Sequence, residues 1–137
     1  MVDDVILNKA STIERCIARV RAEFAGDDRN LFADLTRQDS IILNLQRACE
    51  ASIDLAMHLV ATRRLGVPQD SREAFRLLHT AKILDGDLAV RMQRMVGFRN
   101  VAVHDRTTLN LDVVKDIVIT RLDDFLTFSA AIVQTPE

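Results

Sequence analysis

A chain of 137 residues with 48% hydrophobic and 28% charged residues has enough apolar material for one compact domain over residues 1–137, and too little polarity for disorder. Its formal charge of −2 excludes a generally basic nucleic-acid coat and leaves room only for a local basic patch. Four Gly, two Pro, six Phe and neither Trp nor Tyr supply too few turn formers and too little β-type side chain for a sandwich or barrel, so an all-α fold is expected.

Near the start, Asp3 and Asp4 stand where a secretory signal would be basic, and no run approaches the ~18 apolar residues of a membrane span. A cytoplasmic protein is the expectation. Cys16 and Cys49 have no CxxC spacing and no adjacent His, so both read as small core residues and neither metal nor disulfide is expected.

The first helix runs from about Asp3 to Ala25, because Ile6, Ala10, Ile13, Ile17, Val20 and Phe24 recur at alternating steps of four and three. Gly26, Asp27, Asp28 and Asn30 then form a turn-rich connection. Thr36 followed by Asp39 resembles a capping arrangement, and a second long helix follows through Ile42, Leu45, Cys49, Ile53, Ala56 and Val60. Gly66 can cap its end and Pro68 cannot continue it.

Ser71 can cap a shorter third helix with Phe75, Leu78 and Ala81 inward, ending near Leu84-Asp85-Gly86. A fourth carries Leu88, Met92, Met95 and Val96 toward Arg99. Asp105 to Thr108 reads as a connection, and Leu111 to Val133 as a fifth helix with Val118, Leu122, Phe125 and Ile132 inward. The expected architecture is a compact antiparallel bundle of about five helices, three long and two shorter.

Two polar groupings could carry chemistry. On the second helix Asp39, Asn44, Arg47, Glu50 and Asp54 interleave with apolar neighbours, with Arg47 and Glu50 at i, i+3 and Glu50 and Asp54 at i, i+4. They form either a solvated face with one ordinary ion pair or a shell that orients catalytic groups. The segment Arg91 to Arg106 holds four Arg against one Asp, a local excess of +3 and the strongest candidate for an anion-binding strip. Gly97 within it permits a close approach at a dimer contact, or is simply a tolerated helix glycine.

Arg99 and His104 lie five positions apart, about 140° around an ideal helix, so they face the same way only if the helix opens near its end. An arginine fork suits phosphate oxygens, and histidine is the side chain that exchanges protons near neutrality. Together they suffice for metal-free RNA cleavage. His104 would take the ribose 2′-OH proton while Arg99 neutralises charge on the phosphoryl oxygens, giving a 2′,3′-cyclic phosphate and a 5′-OH. Arginine is common in this chain, so the spacing alone is weakly informative. His58 and His79 lack it and read as packing or surface residues.

The context is more specific. MVGFRNVAVHD (Met95 to Asp105), preceded by DSIILNLQRACEASIDLAMHL (Asp39 to Leu59) and followed by LNLDVV (Leu109 to Val114), closely resembles the HepT family of HEPN-superfamily toxins over nearly the whole chain. The resemblance implies a helical homodimer and a metal-independent endoribonuclease without a cofactor, its R-x4-H motifs meeting at the dimer cleft. Arg99 and His104 correspond to the catalytic pair, and Asn100 to the polar position after the motif Arg. Asp39, Asn44, Arg47 and Glu50 correspond to supporting positions facing the cleft. It further implies the toxin of a two-gene, type VII-like toxin–antitoxin module acting on tRNA or mRNA. Its partner would be an MntA-like nucleotidyltransferase that attaches AMP to a tyrosine.

The family pattern extends to R-x4-H-x-Y, and here that last position is Arg106, in a chain with no tyrosine at all. Either control operates differently, for instance through tight complex formation, or the residue was altered on purpose. The alternative to a nuclease is a non-catalytic module presenting the same cleft to RNA, a nucleotide or a protein partner.

Overall fold

Short polar side chains standing just outside the first turn start five of the helices in the computed structural model, which describes residues 3–136. Asp3 accepts from the Val5 and Ile6 amides at the head of α1 (Asp4–Phe24), and Asp34 from Arg37 at α3 (Leu35–Thr62). Between them lies the one-turn α2 (Arg29–Phe32). Asp70 caps α4 (Ser71–Thr80), Asp85 caps α5 (Gly86–His104) and Asn110 caps α6 (Leu111–Thr120). Each such cap is worth about 1 kcal/mol. The expected caps Thr36 and Ser71 lie just inside their helices, because an aspartate upstream of each already holds the orphan amide.

Three helices end in left-handed turns on residues that carry no such signal, α1 at Ala25 with φ 50°. After α3 the Leu65 amide donates to the Val60 carbonyl and the Arg64 amide to Ala61, with Arg64 at φ 55°. After α4 the same pattern joins Ile83 to Leu78 and Lys82 to His79, with Lys82 at φ 64°. Arg64 and Lys82 occupy positions usually given to glycine. Gly66 is therefore not the cap.

The bundle is all-helical among the described residues, with seven α-helices and a 3-10 turn at Arg106–Thr108 in place of about five. Two differences account for this. The turn-rich connection winds into α2, where Asp27 accepts from the Arg29 amide and the Asn30 side chain donates to the Phe24 carbonyl. The expected fifth helix breaks at Arg121, separating α6 from α7 (Leu122–Val133), at a site with neither Gly nor Pro. Asp123 and Asp124 sit in the first turn of α7, where the helix dipole favours them.

α3 is the central helix and packs against α1, α2, α4, α5 and α7. Its antiparallel register with α1 is fixed by Lys9 to Asp54 at 3.0 Å and Asp3 to His58 at 2.6 Å. Inside, Phe75 of α4 meets Phe128 of α7 edge-on at 5.4 Å between ring centroids. Cys16 and Cys49 are free and buried, as expected, and burial pushes both thiols up. No helix among the described residues is long and apolar enough to cross a membrane.

Phe75 is almost wholly buried, so Phe75→Ala is expected to cost about 3–5 kcal/mol, read as a lower urea midpoint. The hydrogen bond from His58 holds the Asp3 carboxyl below its ordinary value of 3.8. A depressed carboxylate contributes stability above the unfolded pKa and loses it as pH falls through the folded one. Asp3→Asn keeps the cap and removes the charge, so the stability gap between it and the parent should be present above pH 3.8 and shrink below it; urea midpoints across an acid pH series measure this.

Candidate functional site

Helix α5 continues unbroken through His104, and the Asp105 amide closes its last turn on the Val101 carbonyl at 2.9 Å. The opening that would let Arg99 and His104 face the same way does not occur. At about 100° per residue, Leu88, Met92, Met95, Arg99 and Ala102 line the inward face, whereas Gly97, Asn100, Val101 and His104 lie on the outward one. Burial agrees: Met92 is fully buried, Arg99 and Asn100 are half-buried and His104 is exposed. Arg99 and His104 thus diverge by about 140° and ~7.5 Å along the axis within one chain. Asn100 and His104, four apart, share a face.

Arg99 grows out of the core-facing stripe. Its Nε is buried and has no hydrogen-bond partner, one of two such side-chain atoms among the described residues. An unpaired buried donor costs about 1–3 kcal/mol. Such a cost is tolerated where the group awaits a ligand. Burial drives the neighbouring Cys49 thiol up, while the Arg99 charge opposes that shift and Glu50 adds to it. Arg99 of α5 and Glu50 of α3 therefore act on the same buried atom.

The polar set on α3 divides. Glu50 is half-buried and accepts from the Gln46 side chain at 2.8 Å, and the expected Arg47–Glu50 ion pair is absent among the described residues. Arg47 is exposed and acts electrostatically on Cys16 of α1, and Asp54 turns to Lys9 of α1. Asn44 is half-buried and donates to the Ser40 carbonyl at 2.8 Å. Asp39 is exposed and lies about 20° from Glu50 around the helix. The structure thus pairs Glu50 with Gln46 and sets Arg47 and Asp54 toward α1. Gln46, at i, i+4 from Glu50, is a neighbour that the spacing could have disclosed.

The basic strip does not survive as a single surface. Arg91 is paired with Asp124 of α7 at 3.1 Å, and Arg99 faces inward while Arg94 is exposed. Arg106 is exposed on the 3-10 turn. It lines a groove of about 330 Å³ with Gln38, Ile42, Thr107, Leu109 and Leu111. A Cβ on Gly97 would meet the Arg72 guanidinium of α4 at 3.2 Å. His58 bridges to Asp3 and His79 Nδ1 pairs with the Leu84 carbonyl at 3.0 Å, both packing roles. No group of three His, Cys, Asp or Glu side chains among the described residues could hold a metal ion.

A family model described as ribonuclease HepT-like matches residues 13–132. The chain belongs to the HepT-like ribonuclease family. It is 46% identical over 127 residues to the mRNA nuclease HepT of Shewanella oneidensis, spanning 93% of this chain and 95% of that relative. Among solved structures, a toxin–antitoxin with AMP-PNP is 46% identical and superposes with a TM-score of 0.90, over 95% of this chain and 98% of the other. A tri-AMPylated Shewanella oneidensis HEPN toxin in complex with MNT antitoxin gives 0.89 at 46% identity, over 96% and 98%. The unbroken α5, with Arg99 inward and His104 outward, is therefore set in a HepT-like fold along nearly its whole length.

Gly97→Ala tests the packing beside the site. The group it meets is the far end of a flexible side chain, and alanine is the better helix former. The substitution should stabilise by up to about 1 kcal/mol, visible as a higher urea midpoint.

Proposed function

We propose that this chain is the RNA-cleaving toxin of a cytoplasmic toxin–antitoxin pair: one HEPN domain over 1–137, acting as a homodimer without metal or cofactor. The observation that carries this reading is the divergence of Arg99 and His104 along an unbroken α5, with Arg99 Nε buried and unpartnered and His104 open to solvent. A single chain does not face both groups toward one phosphate. A two-fold pairing at the C-terminal ends of α5 gathers two Arg99 and two His104 in one cleft. Val101 and Val103, 40% and 49% exposed beside His104, offer apolar surface for that contact.

In the cleft His104 accepts the 2′-OH proton, and the oxygen attacks the adjacent phosphorus as the 5′ oxygen leaves. Arg99 balances the charge gathered on the non-bridging oxygens. The second His104 is available to protonate the leaving oxygen. Asn100, on the same face as His104, and Glu50, whose charge acts with that of Arg99 on the Cys49 thiol, position these groups, while Asp39, Asn44 and Arg47 border the path of the RNA strand. The cognate partner is a nucleotidyltransferase antitoxin, a reading supported by the HEPN toxin solved in complex with MNT antitoxin.

RNA cleavage by the purified protein should survive EDTA and leave cyclic phosphate ends. Arg99→Ala and His104→Ala should each lower the rate by about 10²–10⁴ with the fold intact by circular dichroism. Full activity in both variants would overturn the assignment. RNA binding without turnover in the parent would mark a non-catalytic module.

A further inference from the structure

A chain without tyrosine needs another nucleophile if a nucleotidyltransferase is to modify it. Serine and threonine hydroxyls are the nearest chemical equivalents, and seven of the fourteen donate to backbone carbonyls, Ser52 and Thr62 among them. Thr12, Thr80 and Thr135 donate to carbonyls one helical turn back, and Thr108 donates to the Asp105 carbonyl at 2.9 Å. Thr120 donates to the Asp116 carbonyl at 2.7 Å and only distantly, at 3.4 Å, to its carboxylate. Thr107 differs: its Oγ1 donates to the Asp105 carboxylate at 2.6 Å, and both residues are exposed.

We propose that Thr107 is the nucleotide acceptor of this chain, with Asp105 as its general base and Arg106 as the clamp for the incoming phosphates. This rests on the reading that the partner is a nucleotidyltransferase. The hydroxyl lies on the 3-10 turn that follows α5, three residues after His104, and lines the same open groove as Arg106. A permanently charged guanidinium beside an activated hydroxyl fits a nucleoside triphosphate, whose phosphates it would orient.

In the transfer step the Thr107 oxygen attacks the α-phosphorus of ATP held by the partner. The new O–P bond replaces the bond to the β-phosphate, and pyrophosphate leaves. The hydroxyl proton passes to the Asp105 carboxylate and from there to solvent. The product is an adenylyl phosphodiester on Thr107. It places a negative charge and the bulk of a nucleoside next to His104, where both oppose entry of an RNA phosphate.

The test coexpresses the full chain with its cognate nucleotidyltransferase, incubates the complex with ATP labelled at the α-phosphate, and maps the label by peptide mass spectrometry. One adenylyl group on Thr107 is expected, lost in Thr107→Val and retained in Thr107→Ser. Asp105→Asn should slow transfer about a hundredfold, the lower range for loss of a general base. Unmodified Thr107→Val should still cleave RNA and should no longer be silenced by ATP and the partner. Label on another residue, or label that persists in Thr107→Val, overturns the proposal. A partner that silences the nuclease without any label overturns it too, while leaving the nuclease reading intact. Loss of that reading is seen separately, as cleavage that ignores both Arg99→Ala and His104→Ala.

Discussion

Burial of one side of α3 is the constraint on which the other helices depend. Twelve of its residues are buried, and five helices share that surface. Its solvent-side arc is left to polar groups, and these serve as register marks: Asp54 for Lys9 and His58 for Asp3 align α1, while Arg37 donates to the Glu23 carbonyl near the other end. Surface pairs of this kind add little energy individually. They select one antiparallel register among those the apolar stripe allows.

The chemistry follows from how α5 docks on that helix. The stripe of Leu88, Met92, Met95 and Ala102 turns toward the core, and Arg99 lies in the middle of it. A guanidinium so placed has its stem on the core-facing stripe and its Nε buried without a hydrogen-bond partner. No ion pair holds it among the described residues, so its charge is not cancelled in advance. His104 sits at the other extreme, exposed on the last turn, where the chain leaves the helix for the 3-10 segment. One group is half-buried with an unpartnered donor and the other is left accessible, a division suited to binding an anion and exchanging a proton.

Charge along the sequence proved a poor guide to charge in space. Arg91, Arg94, Arg99 and Arg106 are neighbours in the chain, but helical rotation sends them to different surroundings and Arg91 meets Asp124 from α7. The polar residues of α3 were similarly parted, with Glu50 answering to Gln46 and the Arg99 side and Arg47 to the α1 side. In both cases the partner came from a distant segment or from a competing neutral side chain, and neither is weighed by counting like residues within a window.

The sequence by itself determined the helical class, the inward stripes of α1, α3 and α5, the buried cysteines and the family-like stretch around Arg99 and His104. These follow from local periodicity and from residue types that no alternative element accommodates. Only the tertiary structure decided where helices begin and end at Asp34, Asp70, Arg64 and Lys82, because short caps and left-handed turns depend on hydrogen bonds that few residue types announce. It also decided that α6 and α7 are separate, since Arg121 breaks the helix without a glycine or proline. Above all it decided that α5 stays helical through His104. Its closing hydrogen bond, from the Asp105 amide to Val101, is what parts the two key side chains and leaves Thr107 beside a carboxylate on the turn beyond.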